Sequence, residues 1–486
     1  MTNPSANPEP LDPKKIQSIL TSELFGSLDS SRQSSSPTVL YLPGSHYKAL
    51  SLEVSLVVGM RGGGKSFWWS ALQDSDWRKL IGRKISEPRL EHQTVCVDGY
   101  GIGDDHPTSH TFKQLLDRYG AHSLWWAIIA WQLLKDKLNT HVMWSERIDF
   151  ILSNREDIEL QIKNFNRQAQ AEERYYLVVF DALDRTYPHN WQDCKSLLKG
   201  LLQNILEFQP YKQIKLKVFV REDMMKDEDV TAFPDASKIK MNSAELSWTT
   251  KDLYNLLWTY MGNTPVAGEF FRCSLEKRLG LTWSQENNIW VLPSTLEKNT
   301  SQQRELFHQI TGPWMGNGPK RGFPYTWLVN HLGDKHQRVS PRTFLSAIKN
   351  AAELSKERGS EKDGPYALYF KDIQEGVAFA SQTRVNELKE EYDWLGLVFL
   401  PLQGLVIPCK REEIFNRWEQ DGTLQKFPTE PDHLPPRSLG AGSPGLLNDL
   451  LDIGILSTMT DGRIDLPDVY RVGFSLRRRG GIKPVK

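Results

Sequence analysis

Eight residues, Gly59-Met60-Arg61-Gly62-Gly63-Gly64-Lys65-Ser66, concentrate the chemistry of this chain. They fit the spacing G-x-x-x-x-G-K-S/T, and each part has a physical purpose. Glycines accept positive φ and let backbone N–H groups converge on an anion. A lysine ammonium at the end of such a loop reaches β- and γ-phosphate oxygens, and the hydroxyl after it is a ligand for Mg²⁺. A helix starting there aims its positive end at the same anion. We therefore expect Gly59, Arg61, Gly62, Gly63, Gly64, Lys65, Ser66 and Phe67 to bind ATP, with Ser66 also on the metal. Arg61 is left with three readings: phosphate, solvent or a neighbouring subunit.

Two later stretches supply the partners that phosphoryl chemistry needs. Tyr176 to Phe180 is apolar and ends in Asp181, expected to hold Mg²⁺ through water. Asp184 follows three residues on and is expected to orient or deprotonate an attacking water, its alternative being a helix N-cap. Arg185 comes next and is a further candidate to face phosphate. Val218-Phe219-Val220-Arg221 places a guanidinium at a strand's carboxyl end, where ligands of open α/β sheets bind. There it would detect a γ-phosphate and stabilise transition-state charge; an ion pair with Glu222 or Asp223 is the structural alternative. Lys65, Asp184 and Arg221 thus form the expected catalytic set, and Ser66 and Asp181 the metal set.

These residues need strands that end, and helices that begin, beside one another. SLEVSLVVG runs straight into the glycines, and SFWWSALQDSDWRKL after them has helical character. QTVCVDG, YYLVVFD and KLKVFVRED read as further strands, TVLYLPG as a short one before them, and IKMNSAEL as an edge strand. Helices lie between, among them one from Ser123 and one over SLLKGLLQNILEF. Strands apolar throughout and alternating with helices indicate a parallel sheet covered on both faces. Thr249-x-x-Asp252 is a capping-box-like start to a helix, residues 262–322 read as irregular, and Pro341 opens a helix. Residues 358–364 read as a linker. Near the C-terminus a helix, a strand, the Asp461-Gly462 turn and a second strand outline a winged helix.

The expected fold class is α/β: a three-layer P-loop NTPase core with a parallel sheet, a helical lid and a C-terminal winged-helix-like domain. Its expected divisions are a flexible leader over 1–37 with a short helix at Lys15–Leu24, the core over 38–260, the lid with an irregular insert over 261–360, and the C-terminal domain over 361–486.

Composition narrows the partners. Lys plus Arg equals Asp plus Glu at 60 each, so bulk charge gives no reason to expect nucleic acid or membrane. No run approaches the length of a membrane span and the first residues lack a signal core, which favours a cytoplasmic protein without a membrane partner. Cys96, Cys194, Cys273 and Cys409 lie far apart, without metal-ligand spacing, and read as reduced thiols. Arg477-Arg478-Arg479 is basic enough to meet phosphates, though a solvated tail explains it as well. No internal repeat is visible.

GMRGGGKS, VVFDALDR and VFVRED, followed by an edge strand and LSWTTKDLYNLL, resemble the KAP and STAND branches of P-loop ATPases, AAA-related ASCE proteins found in bacterial conflict and anti-phage systems. Over about residues 50–260 the resemblance implies Asp181 and Asp184 as the paired acids, Arg185 completing the DxxDR form closest to KAP, and Arg221 as the sensor. By the same resemblance Arg342, at a helix start, can touch the γ-phosphate from a lid. It implies ATP and Mg²⁺ as cofactors and a switch that assembles as a homo-oligomer or gates an effector. The chain departs from both branches, having neither inserted membrane segments nor a repeat sensor, which points to a separately encoded effector or sensor protein. Two other functions stand beside this one: a DNA-binding initiator-like ATPase using the C-terminal domain, and a non-hydrolysing scaffold stabilised by nucleotide.

Overall fold

Five short apolar runs form one all-parallel sheet: β1 (Leu56–Gly59), β2 (Thr94–Tyr100), β3 (Tyr175–Phe180), β4 (Ile214–Arg221) and β5 (Ser243–Leu246). Their order across the sheet is β2-β3-β4-β1-β5. In this computed structural model the described residues are 10–22, 39–100, 106–138, 143–181, 191–359, 365–428 and 435–479. The sheet belongs to a first unit built on Leu42–Ser247, and a second unit takes the chain up to Tyr41 and from Trp248 onward.

Strand side chains alternate between faces. Leu56, Val178, Phe180, Leu216, Val218 and Val220 share one core with helices Ala121–Leu138 and Trp191–Phe208. The intervening Val57, Leu177, Val179 and Phe219 are also buried, on the side where helix Lys65–Gln73 packs against β2 and β4. Helices on both faces make the three-layer P-loop NTPase fold that strand–helix alternation implies. Gly99 lets β2 and β3 approach, since a Cβ there would stand 2.5 Å from the Phe180 ring. Lys217 is buried on the Phe219 side and donates to the carbonyls of Ala49 (2.8 Å), Ser51 (2.9 Å) and Val54 (2.5 Å), tying down the segment that leads into β1.

Several local expectations are corrected. TVLYLPG forms no strand: residues 39–43 lack regular structure and a helix, His46–Leu50, follows Pro43-Gly44. Tyr41 instead serves the second unit, where its hydroxyl donates to Asp252 at 2.7 Å. SFWWSALQDSDWRKL is two helices rather than one, because Asp74 accepts from the N–H groups of Asp76 (2.9 Å) and Trp77 (3.0 Å) and caps a second helix, Ser75–Lys84.

The second unit is mainly helical. The capping box at its first long helix is present, Thr249 and Asp252 exchanging bonds at the start of Thr250–Asn263. Residues 262–322 are not irregular. They contain helices Ala267–Leu279 and Thr300–Thr311 and the hairpin Ser284–Glu286 with Ile289–Val291. Phe271, Leu275, Leu306, Phe307 and Ile310 recur at helical spacing there and are buried, although polar residues outnumber them locally.

Residues 10–22 are not a free leader. Asp12 caps helix Pro13–Leu20, and Leu11, Ile16, Ile19 and Leu20 enter the second unit's core. Nor does the chain part near residue 361: Ala347 and Ala351, before it, share that core with Ile373, Val377 and Ala378 after it. Gly376 allows the close crossing of helices Pro341–Arg358 and Phe370–Lys389, as a Cβ there would lie 2.3 Å from the Ala347 carbonyl oxygen.

The C-terminal outline is a helix (Gly442–Asp452) and a hairpin of two-residue strands, Ser457–Thr458 and Ile464–Asp465. The chain then re-enters the core through helix Asp468–Gly473, packed on Phe370–Lys389. Among the described residues no helix is long and apolar enough to cross a membrane.

Candidate phosphate-binding site

The loop leaves β1 at Gly59, in the middle of the sheet, with β4 on one side and β5 on the other. Gly59 is in register with Arg221 on β4 and with Leu246 on β5. Chain connections from β1 run out to the β2 edge and return to β5 on the opposite side, so the carboxyl end of β1 lies at the switch in strand order, where open α/β sheets bind ligands.

Within the loop, Gly62 has φ +72° and Gly64 φ +102°, both left-handed values that side chains resist. A Cβ on Gly63 would stand 3.0 Å from the Met60 carbonyl oxygen, to which the Gly63 N–H donates at 3.1 Å. Glycines therefore close a tight cradle ahead of helix Lys65–Gln73. That helix starts at Gly64, which has no side chain to cap it, and a helix start aims its positive end at an anion. Lys65 curls over the loop, its Nζ donating to the carbonyls of Gly59 (3.1 Å) and Met60 (3.0 Å). Ser66 and Arg61 are half-buried in the same loop. The cradle, the uncapped helix and the lysine fit a polyphosphate. Phe67 packs its ring edge-on against Trp68 (4.8 Å) and Trp77 (5.4 Å).

Asp181 follows β3 directly, is 3% exposed, and donates its N–H to the Tyr100 carbonyl at 2.9 Å. β4 lies between β3 and β1, so Arg221 stands between the acid strand and the loop strand. Its guanidinium is bidentate on Asp223, Nε at 3.0 Å and an Nη at 2.5 Å, the ion pair that the sequence left as an alternative. Asp184 and Arg185 lie outside the described residues. Arg342 belongs to the second unit, where it pairs with Glu387 at 3.0 Å. The structure thus gathers Gly59–Ser66, Asp181 and Arg221 at one sheet edge.

Two features at the same unit were not anticipated. Asp98, near the end of β2, accepts from His106 Nε2 at 2.9 Å, and the His106 side chain is 3% exposed. QTVCVDG had shown an acid at a strand's end, as YYLVVFD does, but nothing nearby marked its partner. His46, buried under the loop's helix, was a lone histidine after Pro-Gly. Among the described residues no cluster of three metal-ligating side chains occurs, and none of Cys96, Cys194, Cys273 and Cys409 is in a disulfide.

In the second unit the three terminal arginines do different things. Arg477 and Arg479 are exposed, while Arg478 turns inward onto Asp465 and Asp468.

No family model matches the chain, and no curated protein does. Among solved structures, the ORC2 protein of Aeropyrum pernix, determined as ADPNP and ADP complexes, is similar with TM-score 0.31 and 12% identity, over 92% of this chain and 98% of that one. Cdc6p from Pyrobaculum aerophilum is similar with TM-score 0.28 and 13% identity, over 96% of this chain and 92% of that one.

Proposed function

We propose that the chain is an ATP-binding and ATP-hydrolysing molecular switch. The observation that carries this reading is the glycine cradle Gly62–Gly64, closed by Lys65 at an uncapped helix start, at the sheet's switch point. In this reading the loop amides and Lys65 hold the β- and γ-phosphates. Ser66 and Asp181 hold Mg²⁺, which neutralises phosphate charge. Arg221 exchanges Asp223 for the γ-phosphate and stabilises the charge that develops on it. Asp184 acts as the base for water. A calorimetric titration with ATP and Mg²⁺, beside an assay of phosphate release, tests the reading.

The KAP- and STAND-like motifs further support a cytoplasmic homo-oligomeric switch that gates a separately encoded effector in bacterial anti-phage defence. Mass photometry with and without ATP tests the assembly step: an unchanged mass at saturating ATP would remove it.

A second reading is an initiator-like ATPase that binds DNA. The helix and hairpin with exposed Arg477 and Arg479 beside it favour that reading. Salt-sensitive DNA binding that accelerates hydrolysis would select it. Bound ATP that survives purification without turnover would select the scaffold instead.

A further inference from the structure

We infer that His46 is a positioning residue, setting the phosphate loop's helix against the point where the chain leaves the first unit. The inference rests on the nucleotide-binding reading above and adds to it a route by which bound nucleotide is felt at Ser247.

Trp68 lies in the first turn after the glycine cradle, and its N–H donates to the Gly64 carbonyl at 3.0 Å. Its indole is 1% exposed, and its Nε1 stands 3.6 Å from where a Gly64 Cβ would be. That indole N–H donates to His46 Nδ1 at 3.1 Å, and His46 Nε2 lies 3.1 Å from the Ser247 carbonyl oxygen. The chemistry assigns the tautomer. An indole only donates and a carbonyl only accepts, so Nδ1 carries the lone pair and Nε2 the hydrogen. The ring therefore bridges the loop's helix to Ser247 through two directional bonds, the one from Trp68 buried and the one to Ser247 partly buried.

The rest of helix His46–Leu50 is anchored along β5 and β4. Ser45 Oγ donates to the same Ser247 carbonyl at 2.9 Å, and Lys48 Nζ to the Ser243 carbonyl at 2.8 Å. Lys217 holds the Ala49 carbonyl at the other end. Ser247 ends the long segment of the first unit, and Thr249 already caps helix Thr250–Asn263 of the second. The other passage of the chain between units, Tyr41 to Leu42, comes shortly before His46. A turn of the loop's helix around bound phosphate moves the Trp68 indole. His46 then carries that movement to Ser247 rather than letting the core absorb it.

Trp68→Phe keeps an aromatic ring and deletes the donor. His46→Asn keeps an acceptor near Nδ1 and deletes the bond to Ser247. We expect each to raise the ATP dissociation constant about tenfold, the scale of one lost buried hydrogen bond. We also expect the ATP-dependent slowing of amide hydrogen exchange over residues 247–252, present in the wild-type chain, to be lost in both. Variants that bind ATP as the wild type does, with the same slowing over 247–252, would overturn the inference even if they melt earlier. If His46→Asn does not fold, Trp68→Phe decides alone. A wild-type chain that binds no ATP overturns the nucleotide reading itself, and this inference with it.

Discussion

Arg221 stands across the β1–β4 ladder from Gly59, and its guanidinium is gripped on both oxygens by Asp223. Arg221 is thus one strand from the glycine loop and already has an anion. With a side chain only 11% exposed, it sits where charge interactions gain strength from poor solvation. Asp223 and a γ-phosphate compete for the same fork of donors. Arg221→Ala should cut phosphate release about a hundredfold with a much smaller change in ATP affinity, because it removes an interaction strongest in the transition state. Asp223→Asn should tighten ATP binding, since the competing charge is gone. Steady-state phosphate release and calorimetry measure both. Wild-type turnover in Arg221→Ala would show the pair to be structural.

A second network lies in the other unit. Asp468 accepts from His331 (2.5 Å) and from Arg471 (2.7 Å), and Arg478 reaches it at 3.4 Å. Burial opposes its charge, but His331 and Arg471 outweigh burial and hold the carboxyl at about 2. A folded pKa below the unfolded value gives stability that is present above about pH 4 and is lost as pH falls towards 2. The contribution is on the order of 2 kcal/mol. Asp468→Asn should therefore lower the second unit's thermal midpoint at pH 5, and the gap to wild type should narrow by pH 3. A gap that stays constant with pH would show that the charge is not what stabilises.

The DNA-binding reading separates the three terminal arginines. If DNA binds there, replacing exposed Arg477 and Arg479 by Ala should weaken binding across all sequences and flatten its salt dependence. Arg478→Ala should instead lower stability, because Arg478 bridges Asp465 and Asp468. Equal DNA affinity in the Arg477/Arg479 double variant at low salt would remove this surface from the account.

The glycine loop between its strand and helix was legible in the sequence because its information is local. Strand, glycines, lysine and helix follow one another between residues 51 and 73, and glycine alone tolerates the φ values of Gly62 and Gly64. Strand ends at Asp181 and Arg221, and the cap at Thr249, are local in the same sense. What was hidden depends on distance along the chain. His46 has meaning only beside Trp68 and Ser247, and Asp98 only beside His106. Helices between 262 and 322 were obscured because Phe271, Leu275, Leu306 and Phe307 are a minority among polar residues, yet each is buried. Within residues 10–22 the helix was local information, whereas its burial was not: Leu11, Ile16 and Ile19 enter a core made largely of residues from Leu253 onward.

The most direct test is a calorimetric titration of the purified chain with ATP and Mg²⁺, repeated on Lys65→Ala. The account predicts saturable binding by the wild type, with a dissociation constant in the micromolar range, on the order of −8 kcal/mol. It predicts at least a hundredfold loss in Lys65→Ala in a chain that still folds, the bonds from Nζ to the Gly59 and Met60 carbonyls being local to the loop. No heat of binding from a folded wild-type chain, or equal binding by Lys65→Ala, would contradict it.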